Sequence, residues 1–403
     1  MPQPPVAAEE PEARPDIPPS PLVPQNATAR VGLLLPLSGT HAAIGQALLH
    51  ASELALFDAA TDDFALIVRD TGGTPEGAAR AAEEALVAGA QLILGPVFAG
   101  SVTAVAPLAR DAGVHVVAFS TDRSVAGDGI FIMGFVPNSQ VERVVGYASA
   151  QGLGRFAALV PNSAYGQTIV VALEEAARRF GASVAQVEYY DPAATDVSGS
   201  VARLVNYDAR VAALAAERAE LEARQDEASR QALARLNRYH TLGDIGFDAI
   251  LLPEGGARLR AIAPLLPYYD VDPEQVRLLG TALWEDPDLG SEPALVGGWF
   301  AAPDPGPWQA FQERYESVYG TTPPRIASLA YDATALAAVL ARNGVPDFSD
   351  DALMQSNGFA GIDGVFRFLP DGTAERGLAL LEVRPDGLAV IDPAPTTFEE
   401  RLF

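Results

Sequence analysis

The four histidines, His41, His50, His115 and His240, are the side chains best suited to proton transfer near neutrality, and they lie far apart in the sequence. No HxH or HExxH spacing brings two of them together with a carboxylate, so no metal site is expected. His115 falls inside an apolar run and reads as a core or strand-edge residue, because a general base needs a partner that the neighbouring sequence does not supply. No GxSxG elbow offers a hydrolase nucleophile. The chain has no cysteine, which removes thiolate catalysis, disulfides, iron–sulfur clusters and cysteine zinc sites. Gly152-Leu153-Gly154 precedes an apolar run instead of following one and lacks a third glycine, so it fails the dinucleotide fingerprint; GxxxxGK[ST] is absent. The expectation is a protein that is not an enzyme and uses no metal or cofactor.

Polar and aromatic residues on loops remain. Ser101 stands where a helix N-cap is expected, and Ser120, Thr121 and Asp122 carry two hydroxyls and a carboxylate on one loop. Each hydroxyl has two competing uses, capping its own helix or touching a ligand. Tyr165 and Trp284 are the aromatic candidates for stacking on a ligand.

The elements that position these loops alternate. Val31–Leu37 reads as a strand buried on both faces, and Ile44, Leu48, Ala51, Leu54 and Ala55 follow at helical spacing. The pattern recurs through Phe64–Val68, Leu92–Leu94, Val114–Phe119 and Ile130–Phe135, each strand followed by a helix or turn. A second series starts at Phe156–Val160 and continues through Val184–Tyr190, Ala249–Leu252 and Val276–Leu279. Such βαβα order implies parallel strands with helices on both faces. The predicted fold is α/β, two doubly wound parallel-sheet lobes joined by three crossing segments. In open parallel sheets ligands bind outside the carboxyl ends of the strands. The candidate loops are therefore 36–40, including Ser38, with 70–74, 95–101 and 120–124 in the first lobe, and 161–165, 253–256 and 281–286 in the second.

The expected layout is a proline-rich, solvated tether over 1–28, a first lobe of 29–136 plus 301–361, and a second of 137–300 plus 362–395. Hinges are expected near Phe135-Val136, Gly298-Trp299 and 361–364. Residues 206–240 form a helical insertion: Leu214, Leu221 and Ala228 recur at seven, but Arg218 and Gln225 break the intervening apolar positions. That insertion either packs on its lobe or projects as a docking arm. The balance of 52 acidic to 27 basic residues gives a net charge of -25, which repels phosphate backbones and excludes nucleic acid as a partner. No run of about 18 apolar residues suggests a membrane span.

The run Val31 to Gly39 (VGLLLPLSG), Gly45, Val68-Arg69-Asp70-Thr71, Ala90 to Pro96 (AQLILGP) and Tyr165-Gly166 together resemble the leucine/isoleucine/valine-binding receptor superfamily, the type I periplasmic binding protein fold. Leu94-Gly95-Pro96-Val97, Ala118 to Asp122, the helical insertion and the proline-rich start are most similar to LpoA-type lipoproteins, activators of penicillin-binding proteins. That resemblance implies a lipid anchor, placement at the outer membrane in the periplasm, and contact with a peptidoglycan synthase. The helical-repeat domain of the enterobacterial form has no counterpart here. The chain is also similar to amino-acid receptors of ABC importers, which implies an ABC permease partner and an amino-acid-like ligand. The matching positions are Ala99, Gly100 or Ser101 after the third strand, Ser120-Thr121 after the fourth, Tyr165, and Glu254 or Glu285 from lobe two. The pair Asp122-Arg123 is expected to change the charge that the pocket accepts.

Overall fold

The computed structural model describes residues 28–61, 63–224, 226–342 and 345–398. Of the stretch read as a tether, only Thr28 lies among them. Five parallel strands form the first sheet: β1 (Ala29–Leu35), β2 (Phe64–Asp70), β3 (Leu92–Leu94), β4 (His115–Ala118) and β5 (Ile130–Ile132), ordered β2-β1-β3-β4-β5. The second sheet starts with β6 (Arg155–Pro161), β7 (Ser183–Tyr190), β8 (Ala249–Leu251), β9 (Arg277–Gly280) and β10 (Trp299–Ala302). A small ribbon of β11 (Phe366–Phe368) and β12 (Ala374–Arg376) follows, and then β13 (Ala379–Arg384), antiparallel to β10, and β14 (Gly387–Asp392), antiparallel to β13, extend the second sheet. Its order is β14-β13-β10-β9-β8-β6-β7. Both lobes thus wind alike, with strand order reversing between β1 and β3 and again between β6 and β8, the points at which α/β sheets open a crevice.

Each sheet is covered on both faces. Leu33 and Leu35 point into a core shared with Phe311 and Leu336, whereas Leu34 points to the opposite side with Ile93 and Val102. In the second sheet Leu159 and Phe300 face one core, and Phe156 and Val160 the other. Strands buried this way are continuous apolar runs, which is why they are legible in the sequence. Two of the sequence's signature glycines mark places where a helix's first turn crosses the end of the preceding strand. A Cβ on Gly45 would collide with the carbonyl of Pro36, and one on Gly166 with that of Pro161.

The crossings differ from expectation in two of three places. The first does fall at 133–136, between β5 and the helix Pro137–Ala150. Trp299, however, lies within β10, paired with Leu279 and Glu382, so the second crossing is Pro303-Asp304 ahead of the helix Pro305–Tyr319. Residues 361–364 close a turn in which Gly361 and Gly364 exchange N–H···O bonds at 3.2 Å. The chain then stays in the first lobe, where Phe366, Phe368 and Ala374 join its core and Phe368 meets Phe131 at 5.0 Å. The third crossing is Gly377.

The insertion is a hairpin of the helices Tyr207–Arg224 and Glu227–Leu236. Its root is tied to lobe two: Leu242 N–H donates to Arg210 O at 3.0 Å, and Tyr207 meets Tyr269 edge-on at 5.0 Å. Further out, the helices bond to each other. Arg218 Nη2 donates to Leu236 O at 2.8 Å and Tyr239 O at 3.2 Å, so the residue that breaks the heptad caps the second helix's carboxyl end. Leu214 and Leu221 are buried while Ala212, Ala216, Ala219 and Ala223 are exposed.

Candidate functional site

At the mouth of the first sheet, Asp70 ends β2 and staples two loops. Its Oδ1 accepts from the N–H groups of Leu37 (2.8 Å), Ser38 (3.2 Å) and Gly72 (2.7 Å). Burial works to raise this carboxyl, but the Ser38 hydroxyl and the three N–H groups outweigh it and hold it below the usual range. Ser38 is thereby committed to Asp70. Ser101 is not the cap expected of it: Phe98 holds the N-cap position of the helix Ala99–Asp111 without a side-chain bond, and Ser101 is the helix's third residue, buried, with an Oγ that has no hydrogen-bond partner among the described residues.

The loop after β4 is occupied by its own geometry. Ser120 Oγ accepts from Asp122 N–H at 3.1 Å, and Asp122 accepts from Ser124 N–H at 2.9 Å and Ser124 Oγ at 2.7 Å, capping the single turn Arg123–Val125. Those bonds from Ser124 hold the Asp122 carboxyl below its ordinary value. Arg123 turns to Asp371 at 3.4 Å, and Thr121 is exposed. The Asp122-Arg123 pair therefore serves the loop and the ribbon, not the charge of the cavity described below.

Lobe two supplies more. Tyr165 opens the helix Ala164–Arg179, whose cap Ser163 accepts from Gly166 N–H at 3.3 Å. Burial pushes the Tyr165 phenol up, Thr281 beside it opposes, and Glu254 adds to the rise. Glu254 accepts the hydroxyl hydrogen of Tyr190, whose ring carries the Arg258 guanidinium at 5.6 Å. Trp284 is corrected outright. It is 0% exposed, its Nε1 donates to Leu252 O at 3.1 Å, and its ring lies against Gly280 and Gly298, so it packs the core and presents no face to a ligand.

Between the lobes is a cavity of about 240 Å³. Its apolar wall comes from Phe135, Pro137, Ala282, Leu283 and Pro303; its polar groups are Gln140, Tyr165, Glu285 and Arg325. Gln140 Oε1 accepts from Ala282 N–H at 2.9 Å and so holds the loop bearing Glu285. Burial pushes the Glu285 carboxyl up, with Asp363 adding and Arg325 opposing. Tyr165 and Glu285 are the two sequence candidates that line this cavity; Ser38, Ser101, Ser120, Thr121, Asp122, Glu254 and Trp284 do not. Larger hollows lie elsewhere. One of about 910 Å³ runs beneath residues 392–398, where Arg143 is already satisfied by Asp392 at 2.7 Å and Leu378 O at 2.9 Å; an apolar one of about 400 Å³ is lined by Pro264, Leu266 and Val271.

A charged cluster behind the cavity was not nominated from the sequence. Arg325 is in ion-pair contact with the buried Asp363 and lies 4.3 Å from the Trp308 ring centroid and 5.6 Å from that of Phe135. Ser328 Oγ donates to Asp363 at 2.5 Å. Asp332 and Arg376, both buried, face each other at 4.0 Å, and Asp332 accepts from Ile362 N–H at 2.8 Å. The one available signal was Asp332 itself, an acid inside the apolar run Ile326–Leu340. Among the described residues, no group of three or more histidines and carboxylates is arranged to hold a metal, and no helix is long and apolar enough to cross a membrane.

Two similarly wound sheets, three crossings and an interlobe cavity with opposed charges define the architecture of a two-lobed α/β binding fold. A family model described as periplasmic binding protein matches residues 28–388, and the chain belongs to that family. One curated relative, the uncharacterized protein RP748 of Rickettsia prowazekii, is 24% identical over 176 residues, spanning 44% of this chain and 47% of that protein. Among solved structures, a branched-chain amino acid ABC transporter periplasmic ligand-binding protein of Burkholderia xenovorans superposes with TM-score 0.62 at 18% identity, covering 92% of this chain and 97% of that one. The C-domain of LpoA from Haemophilus influenzae, described as a regulator of PBP1A, superposes with TM-score 0.65 at 15% identity, covering 90% and 100%. At these identities the likeness is one of fold.

Proposed function

We propose that this protein is the solute receptor of an ABC importer, binding an amino acid or a similar small polar solute in the interlobe cavity and working outside the cytoplasm. The carrying observation is the cavity itself, where Glu285 and Arg325 offer opposite charges, with Tyr165 and Gln140, against an apolar wall. Such a site suits a small solute with a charged head and an apolar body. The transporter protein among the structural neighbours supports this reading. A thermal-shift screen against amino acids and small peptides, followed by calorimetry, tests it. A solute at 100 times its Kd stabilises the fold by about 2.7 kcal/mol. Loss of that shift in Tyr165→Ala and Glu285→Ala is the expected result; a full shift in both variants places the solute elsewhere.

A second reading, activation of a peptidoglycan synthase by an anchored lipoprotein, draws on the likeness to the LpoA C-domain and on the exposed hairpin at 207–236. Stimulation of a purified synthase that disappears when the hairpin is excised, with no solute found, would favour it over transport.

A further inference from the structure

Glu285 follows β9 and belongs to lobe two, whereas Arg325 lies just ahead of the helix Ala327–Ala341 in lobe one. Arg325 Nε stands 3.7 Å from Glu285 Oε2, and its Nη1 contacts Asp363, which is 0% exposed. One guanidinium therefore joins a carboxylate on the far side of the cavity to a carboxylate buried in the near lobe. It is also placed in advance: Trp308 and Phe135 lie within 4.3 and 5.6 Å of it, so the side chain gives up little further freedom to make the bridge. Phe135 is on the first crossing segment, which ties the bridge to the part of the chain that must bend if the lobes part.

We infer that the Glu285–Arg325–Asp363 bridge is a lock that holds the two lobes together across the cavity, and that a solute must displace Arg325 from Glu285 to seat itself. The lock extends the solute reading above, supplying the energetic opposition against which a solute binds. A bound solute has to make better contacts with Glu285 than Arg325 does, because a ligand shifts a conformational equilibrium only by its differential affinity for the two states. The acid and the guanidinium act as one switch: either they hold each other, or each holds the solute.

The absence of cysteine in the chain makes the test direct. Spin labels on Thr40→Cys and Asn162→Cys, exposed positions at the carboxyl ends of β1 and β6, report the interlobe distance by pulsed electron resonance with no solute present. Glu285→Gln keeps the shape and removes the charge; Arg325→Lys keeps the charge near Asp363 but loses the reach and the planar stacking. The expected result is a shift of the distance distribution to longer values in each variant, with no further shift when the two are combined. Distributions that superpose on the parent's, in variants whose near-ultraviolet circular dichroism is unchanged, overturn the lock. Thermal shift of the parent with leucine, run in parallel, separates the two ideas. Opening without any leucine effect leaves the lock standing and removes leucine as the solute; a leucine effect without opening overturns the lock and leaves the solute reading standing.

Discussion

Arg376 Nη2 donates to the carbonyl of Met133 at 2.9 Å, so the chain entering the third crossing is pinned to the chain entering the first. The guanidinium is buried, 4.9 Å from the Phe135 ring centroid and 5.3 Å from that of Phe366, with Asp332 and Asp363 as its counter-charges. Arg376→Met removes the cation and leaves the buried Asp332 without its ion-pair partner, while Asp363 keeps Arg325, a change of the kind that costs about 3–5 kcal/mol. Urea denaturation should show that loss. Adding Asp332→Asn should return part of it, because the stranded carboxylate is then gone; an unchanged midpoint in Arg376→Met would mean that the cluster carries no net energy.

Asp332 makes the stability depend on pH in a particular direction. Burial first, and then Asp363, push its carboxyl up from 3.8 to about 7, with Arg376 and the N–H groups of Ile362 and Asp363 opposing. The folded pKa exceeds the unfolded one, so the folded chain holds a proton that the unfolded chain lacks between those values. The contribution is full below the unfolded pKa and is lost as pH rises through the folded one. Asp332→Asn keeps an Oδ1 acceptor for Ile362 and removes the titration. Its stability relative to the parent should therefore improve with pH up to about 7, by on the order of a few kcal/mol. Denaturation series from about pH 5 to about pH 8 give the difference curve, and a flat one refutes the assignment.

Trp284 is caged by glycines on both sides of it in sequence, Gly280 ending β9 and Gly298 ahead of β10. A Cβ on Gly298 would stand 2.6 Å from Trp284 Cζ3, and one on Gly280 would press on the other side of the ring. Gly298→Ala should therefore cost about 1–3 kcal/mol through overpacking, and Trp284→Phe in the same chain should recover part of that by vacating the space. Simple additivity of the two losses would show that the contact is not the cause.

The same residue shows where sequence reading stops. Whole strands were legible because Val31–Leu35 and Phe156–Val160 are buried on both faces and so are apolar throughout. A tryptophan on a loop after a strand has one sequence signature whether its ring turns outward or inward, and the glycines that admit it arrive from β9 and from ahead of β10. The third crossing was misplaced for a related reason. Gly361 and Gly364 look like a hinge, but Phe366 and Phe368 bury themselves in the first core, and the contact of Phe368 with Phe131, far earlier in the chain, reveals it. Arg325, Asp363 and Arg376 went unnamed because charged residues in a sequence read as solvated until three distant segments enclose them. Tyr165 and Glu285 could be found because each sits at a strand's carboxyl end, a position fixed by topology.

Arg218 offers the last test, and it concerns the hairpin alone. Its guanidinium bonds to Leu236 O and Tyr239 O, joining the first helix to the last residue of the second and to the turn that follows, where Leu236 O also accepts from Tyr239 N–H at 3.1 Å. Leu214 and Leu221 bury the seam but supply little apolar area between two helices whose outer faces are solvated. Such a pair depends on its caps, Asp226 at one end of the second helix, accepting from Ser229 N–H at 2.7 Å, and Arg218 at the other. Arg218→Ala should raise amide exchange over 227–236 by roughly ten-fold, the equivalent of about 1.4 kcal/mol of local opening, while β6, β8 and β9 keep their protection. Exchange that rises equally in those strands would mean that the hairpin folds as one unit with lobe two. Exchange confined to 227–236 shows an arm that opens by itself while its root stays held at Arg210 and Tyr207.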